Sequence, residues 1–144
     1  MIPKSIEDVT NTWLSKILRG EIKISKRIQI GQGVGIMGDI FRIELSHKET
    51  GIPQSLVVKL PSSSEENRSQ GVALGMFEAE VKFYRELAQD VTVGLPRTFL
   101  AEIESGTSNF VILMEDLSSL TMVNQSEGVT VDQALMAVEV LATV

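Results

Sequence analysis

Eight residues, Gly31-Gln32-Gly33-Val34-Gly35-Ile36-Met37-Gly38, hold four glycines, and the segments on either side of them constrain the fold of this chain more than anything else in it. Ahead of them, from Glu21, apolar residues recur with a period of two at Ile22, Ile24, Ile28 and Ile30, which predicts a strand with these four on one side. Behind them Phe41, Ile43 and Leu45 alternate with Arg42 and Glu44, a second strand from Asp39 to Ser46. A turn through His47-Lys48-Glu49-Thr50-Gly51 leads to a third, Leu56-Val57-Val58-Lys59-Leu60, with a lysine in its middle. Glycines let backbone N–H groups approach an anion because no Cβ intervenes, and an ammonium on a rigid strand adds a point charge. Strand, glycine turn, strand and lysine-bearing strand is an order suited to holding phosphate.

Gly33 to Gly38 also reads G-x-G-x-x-G, so a dinucleotide-binding oxidoreductase fragment is a distant alternative. That fold needs a helix opening at the third glycine, and here a strand follows instead. A P-loop is excluded because no glycine is followed by Lys-Ser or Lys-Thr.

The remaining elements follow from periodicity and caps. Ser5 with Asp8 makes an S-x-x-D start, and Ile6, Val9, Trp13, Ile17 and Leu18 predict an amphipathic helix over 6–19 that ends near Gly20, with Trp13 in the core. A helix over 73–88 places Ala73, Met76, Phe77, Val81, Phe83, Tyr84, Leu87 and Ala88 on one arc, and the preceding polar stretch has a possible helix start at Ser63 or Ser64. Glu80 falls inside that apolar arc, where a carboxylate is costly without a cation or several donors. Lys59 is the only lysine in a strongly apolar strand, so the two are expected to pair. Strands over 98–104 and 109–115 follow, and the run Phe110-Val111-Ile112-Leu113-Met114 predicts a strand buried on both faces. After a linker-like stretch over 118–128, Thr130 and Gln133 cap a last helix with the stripe Ala134, Leu135, Val138, Leu141 and Ala142.

Composition narrows the function classes. The 144 residues suit one domain, or part of a larger one. There is no cysteine, which excludes disulfides and thiolate metal sites and fits a reducing compartment. No apolar run is long enough to span a bilayer, so a soluble, cytoplasmic chain without a membrane partner is expected. The net charge is −6, and residues 98–144 hold seven acids and no base, which argues against nucleic acid as a partner. The one histidine, His47, lies in a polar connection and is expected at the surface; no His-based catalytic pair exists.

The segments GQGVGIMGDIFRIEL, VVKL, FEAEVKFYREL and FVILMEDLS together resemble the N-terminal lobe of the kinase-like fold, most closely the aminoglycoside phosphotransferase and choline or ecdysteroid kinase-like families of small-molecule kinases. The resemblance covers residues 28–119. It implies an α+β fold: a five-stranded antiparallel sheet with an N-terminal helix, one long helix packed on the sheet and a C-terminal linker helix. Residues 1–117 would form the nucleotide-binding lobe, and 118–144 the hinge linker and the start of a second lobe. By the same resemblance Lys59 holds the α- and β-phosphates and Glu80 is the helix glutamate that pairs with it. Gly31, Gly33, Gly35 and Gly38 cover the phosphates. Backbone between Met114 and Leu117, through Glu115 and Asp116, is the hinge for adenine, with Ile30, Val57 and Leu113 among the walls.

The aspartates and asparagine that such kinases use for catalysis and metal binding have no counterpart in these residues. Asp116 and Asp132 lack the H-x-D or D-x-x-x-x-N setting. The expectation is therefore a lobe that binds ATP or GTP, with Mg²⁺ ligands supplied by a missing lobe or partner chain, and that transfers no phosphoryl group alone. Self-association through the 130–144 helix is a further expectation. The alternative is a non-catalytic kinase-like binding module or pseudokinase fragment.

Overall fold

The computed structural model describes residues 1–31, 37–91, 94–121 and 127–142. Five antiparallel strands form one open sheet: β1 Lys23–Ile30, β2 Gly38–Ser46, β3 Ser55–Pro61, β4 Thr98–Ile103 and β5 Phe110–Glu115, in the order β1-β2-β3-β5-β4. Among the described residues four α-helices accompany it: α1 Asn11–Leu18, α2 Glu65–Ala73, α3 Met76–Lys82 and α4 Val131–Leu141. The fold is α+β.

Strand alternation divides the core in two. On the first face Ile43 and Leu45 of β2, Leu56, Val58 and Leu60 of β3, and Val111 and Leu113 of β5 pack beneath Val9, Leu14 and Ile22. On the second face Phe110 and Ile112 meet Phe77 and Val81 of α3, and the Phe77 and Phe110 rings stack at 4.8 Å. Residues 110–113 are buried on both sides of the sheet, as the continuous apolar run predicts.

The N-terminal helix is not the single piece over 6–19 that periodicity suggests. A 3₁₀ turn, Ile6–Asp8, stops at the fully buried Val9. Extended Thr10 then caps α1 by accepting from the Trp13 N–H at 3.2 Å. A hydroxyl offering an N-cap there competes with continuing the helix. Trp13 packs against the core as expected. Arg19, at φ 56, takes the left-handed position at the end, one residue before Gly20.

The four isoleucines around β1 do not share a side. An irregularity at Ser25 shifts the register between Ile24 and Lys26, so Ile24 pairs with Leu45 on the first face while Ile28 and Ile30 pair with Arg42 and Ile40 on the second. The extra residue reverses the side-chain parity beyond it.

The helix over 73–88 also has different limits. Ala73 ends α2, whose N-cap is Ser64, one of the two starts suggested by the polar stretch. Gly75 at φ 64 separates α2 from α3, because a left-handed residue cannot continue an α-helix. Beyond Lys82 the chain continues as a π-helical turn, Phe83–Leu87, closed by the Ala88 N–H on the Phe83 carbonyl at 2.9 Å. His47 lies half-buried in the polar connection after β2, with Nε2 donating to the Pro53 carbonyl at 3.1 Å. Thr130 and Gln133 form the expected capping box of α4, and every described residue of that helix is exposed.

Candidate functional site

Lys59 lies between Val58 and Leu60, both buried on the first face, so alternation turns its side chain to the second. Cross-strand neighbours Ile40 and Ile112 flank it. Above it α3 is anchored by Phe77 and Val81, and Glu80, three residues after Phe77, projects from the same side. The Lys59 ammonium lies 2.7 Å from each carboxylate oxygen of Glu80. This is the cation demanded by a carboxylate on an apolar helix arc. The pair is not sealed: its side chains are 19% and 31% exposed.

Gly38 shapes the space beside this pair. A Cβ there would stand 2.9 Å from the Leu60 carbonyl oxygen and 3.1 Å from Lys59 Cε, so the missing side chain makes room for the lysine stem. Gly31, at φ 67, closes β1 in a conformation that side-chain-bearing residues rarely adopt. Gly33 and Gly35 lie outside the described residues. Met37, Tyr84 and Met114 pack against the same cluster as Phe77 and Ile112. Burial, with a smaller contribution from the negative charge of Glu80, pushes the Tyr84 phenol above its usual pKa.

At the end of β5 the expected hinge residues separate. Met114 faces the second side of the sheet, opposite Val57. Leu113 does not: it pairs with Val58 and is fully buried in the first core, so it cannot be a wall of a slot beside Val57. The Glu115 N–H donates to the Arg97 carbonyl at 2.8 Å, and its carboxylate accepts from the Arg97 N–H at 3.1 Å. Leu117 is partly exposed, and its carbonyl accepts from the Leu120 N–H at 2.9 Å.

The Asp116 side chain has a structural role that sequence reasoning missed. It accepts from Ser55 Oγ at 2.7 Å and from the Ser118 N–H at 3.0 Å, and Arg42 Nε lies 3.0 Å away in an ion pair whose N–H is not aligned for a hydrogen bond. Burial alone would raise its pKa; the Ser55 and Ser118 hydrogen bonds and the charge of Arg42 outweigh that and hold it below the usual carboxylate value.

These features place an ammonium and a paired carboxylate, with Gly38 beside them, on one side of a sheet whose fifth strand ends in an acidic connection. The model of the ecdysteroid kinase-like family matches residues 32–144, more than three quarters of the chain. The chain belongs to the ecdysteroid kinase-like family. Its membership brings a phosphotransferase-type activity at the level of the family and agrees with the kinase-like arrangement of sheet and α3. None of the curated proteins or solved structures compared with this family member matches it. Among the described residues no group of three or more His, Cys, Asp or Glu side chains is placed to hold a metal ion, and no helix is long and apolar enough to cross a membrane.

Proposed function

We propose that residues 1–117 are the nucleotide-binding lobe of an ATP-dependent phosphotransferase acting on a small-molecule hydroxyl, with 118–144 leading into a second lobe. The observation that carries this reading is the bidentate Lys59–Glu80 contact beside Gly38 in a chain of a kinase-like family. The residues fit a nucleoside triphosphate. Lys59 would offer its ammonium to the α- and β-phosphates, while Glu80 keeps the side chain directed. Gly31 and Gly38, at the two ends of that segment, would offer backbone N–H donors to the same anion. Val57, Ile30 and Met114 offer an apolar wall to the base, and ATP and GTP both fit that description. Because the Glu115 N–H and the Leu117 carbonyl are already used, base recognition would fall on the backbone between them.

Bound Mg²⁺ would neutralise phosphate charge as the phosphoryl group moves. Its ligands, and the group that orients the acceptor hydroxyl, are assigned to residues outside 1–144, on the second lobe or a partner chain. Residues 1–144 alone would then bind Mg-nucleotide weakly and transfer nothing, since half a clamp neither excludes water nor aligns the attack. A cytoplasmic location, where ATP is abundant, belongs to the same reading. The test is nucleotide protection of Lys59 from an amine-acylating reagent, followed by mass spectrometry. Protection by Mg-ATP, with no protection by adenosine, is expected; equal acylation with and without nucleotide would overturn the reading.

A further inference from the structure

We infer that Glu78 is a positioning residue: it ties α3 to the turn between β4 and β5 and so holds Glu80 over Lys59. For its consequence in nucleotide binding this rests on the reading above, but the geometry stands apart from it. One Glu78 oxygen accepts from Ser105 Oγ at 2.9 Å and from the Gly106 N–H at 2.8 Å. The Gly106 N–H, with Ser105 adding to it, lowers the Glu78 pKa below that of an ordinary glutamate, so the carboxylate is charged when it accepts.

The turn is built to offer those donors. Gly106 sits at φ 74 with open space where a Cβ would be, so the backbone angle and not crowding requires glycine. The loop braces itself: Thr107 N–H and Oγ1 both donate to the Glu104 carbonyl, at 3.1 and 2.8 Å, and Asn109 Nδ2 donates to the Glu104 carboxylate at 2.7 Å. At its start α3 is turned from α2 by left-handed Gly75, and its Phe77 ring lies against Gly71 of α2. Phe77 and Val81 hold α3 to the core, and Glu78 is its polar tie to the turn between β4 and β5.

The contacts close a ring. From Lys59 the chain of contacts passes to Ile112 across β3 and β5, along β5 to the turn, from Gly106 to Glu78, along α3 to Glu80, and back to Lys59. Breaking the ring at Glu78 leaves α3 pivoting on its apolar contacts, and the carboxylate that pairs with Lys59 moves with it.

Acylation of Lys59 in the protein of residues 1–144, without nucleotide, reads this directly. Glu78→Ala is expected to raise the Lys59 labelling rate about three- to tenfold, as the loss of charge-assisted hydrogen bonds at a partly solvated site should shift a local opening equilibrium. Glu78→Gln, which keeps an acceptor oxygen, should restore most of the protection. Ser105→Ala removes one donor and should give a smaller rise in a protein whose fold is least disturbed. Amide exchange at Ile43 and Val58, in the other core, is expected to stay as in the parent. An unchanged Lys59 rate in folded Glu78→Ala and Ser105→Ala would overturn the inference, as would a rise matched by equal loss of protection at Ile43 and Val58. Failure of Mg-ATP to protect Lys59 in the parent protein would remove the nucleotide reading and leave the role of Glu78 standing.

Discussion

Lys59 Nζ contacts both carboxylate oxygens of Glu80 at 2.7 Å, joining β3 to α3 between residues 21 apart in the chain. Because both side chains are partly exposed, the coupling is weaker than in a dry ion pair, in which removing one partner costs about 3–5 kcal/mol. A double-mutant cycle with Lys59→Met and Glu80→Gln, followed by urea denaturation, should give a coupling of about 1–2 kcal/mol. Strictly additive effects would mean that the contact adds no stability.

Two glycines should resist a methyl group for reasons of space. Gly71→Ala would drive its Cβ into the Phe77 ring, at the contact between α2 and α3, and is expected to destabilise by about 2–3 kcal/mol. Gly38→Ala meets the Leu60 backbone and the Lys59 stem, and should cost about 1–2 kcal/mol while also raising Lys59 acylation. Both are measured by denaturant titration; wild-type stability in either would show that the packing yields easily.

Asp116 makes stability depend on acid. Its pKa is depressed in the folded protein, so its contribution is fully present above the ordinary carboxylate value and is lost as pH falls through the lower folded value. Comparing the parent with Asp116→Asn, the stability difference should be largest at neutral pH, at about 1–2 kcal/mol, and should shrink below about pH 4. A difference independent of pH would place the effect in packing and not in charge.

Much of this was legible from residue order alone. The strand alternation around Lys59, the continuous run of β5 and the carboxylate on an apolar arc each have a single physical solution, and together they specify the Lys59–Glu80 contact. What was not legible depended on one residue changing the register or direction of the chain. Ser25 inserts a residue that moves Ile28 away from Ile24; Gly75 adopts φ 64 inside a helical period; Thr10 caps a helix inside a longer apolar stripe. Leu113 was misplaced by one step of parity, and the Arg42–Asp116–Ser55 contact joins the middle of β2, the start of β3 and the residue after β5, which no local pattern relates.

The α4 helix should be marginal when nothing covers it. Leu135, Met136, Val138 and Leu141 are each more than half exposed, and isolated helices of this length are barely stable in water. At low concentration, amide exchange across 135–141 should be nearly unprotected, and light scattering should detect association as concentration rises. A monomer with α4 protected throughout would contradict this.

The most direct test of the central claim is an NMR titration of ¹⁵N-labelled protein with Mg-ATP. Shifts are expected at the amides of Gly31, Gly38 and Lys59, saturating in the weak, roughly millimolar range and abolished by Lys59→Met in a protein that remains folded. No shift at these amides, or the same titration curve in Lys59→Met, would contradict the account.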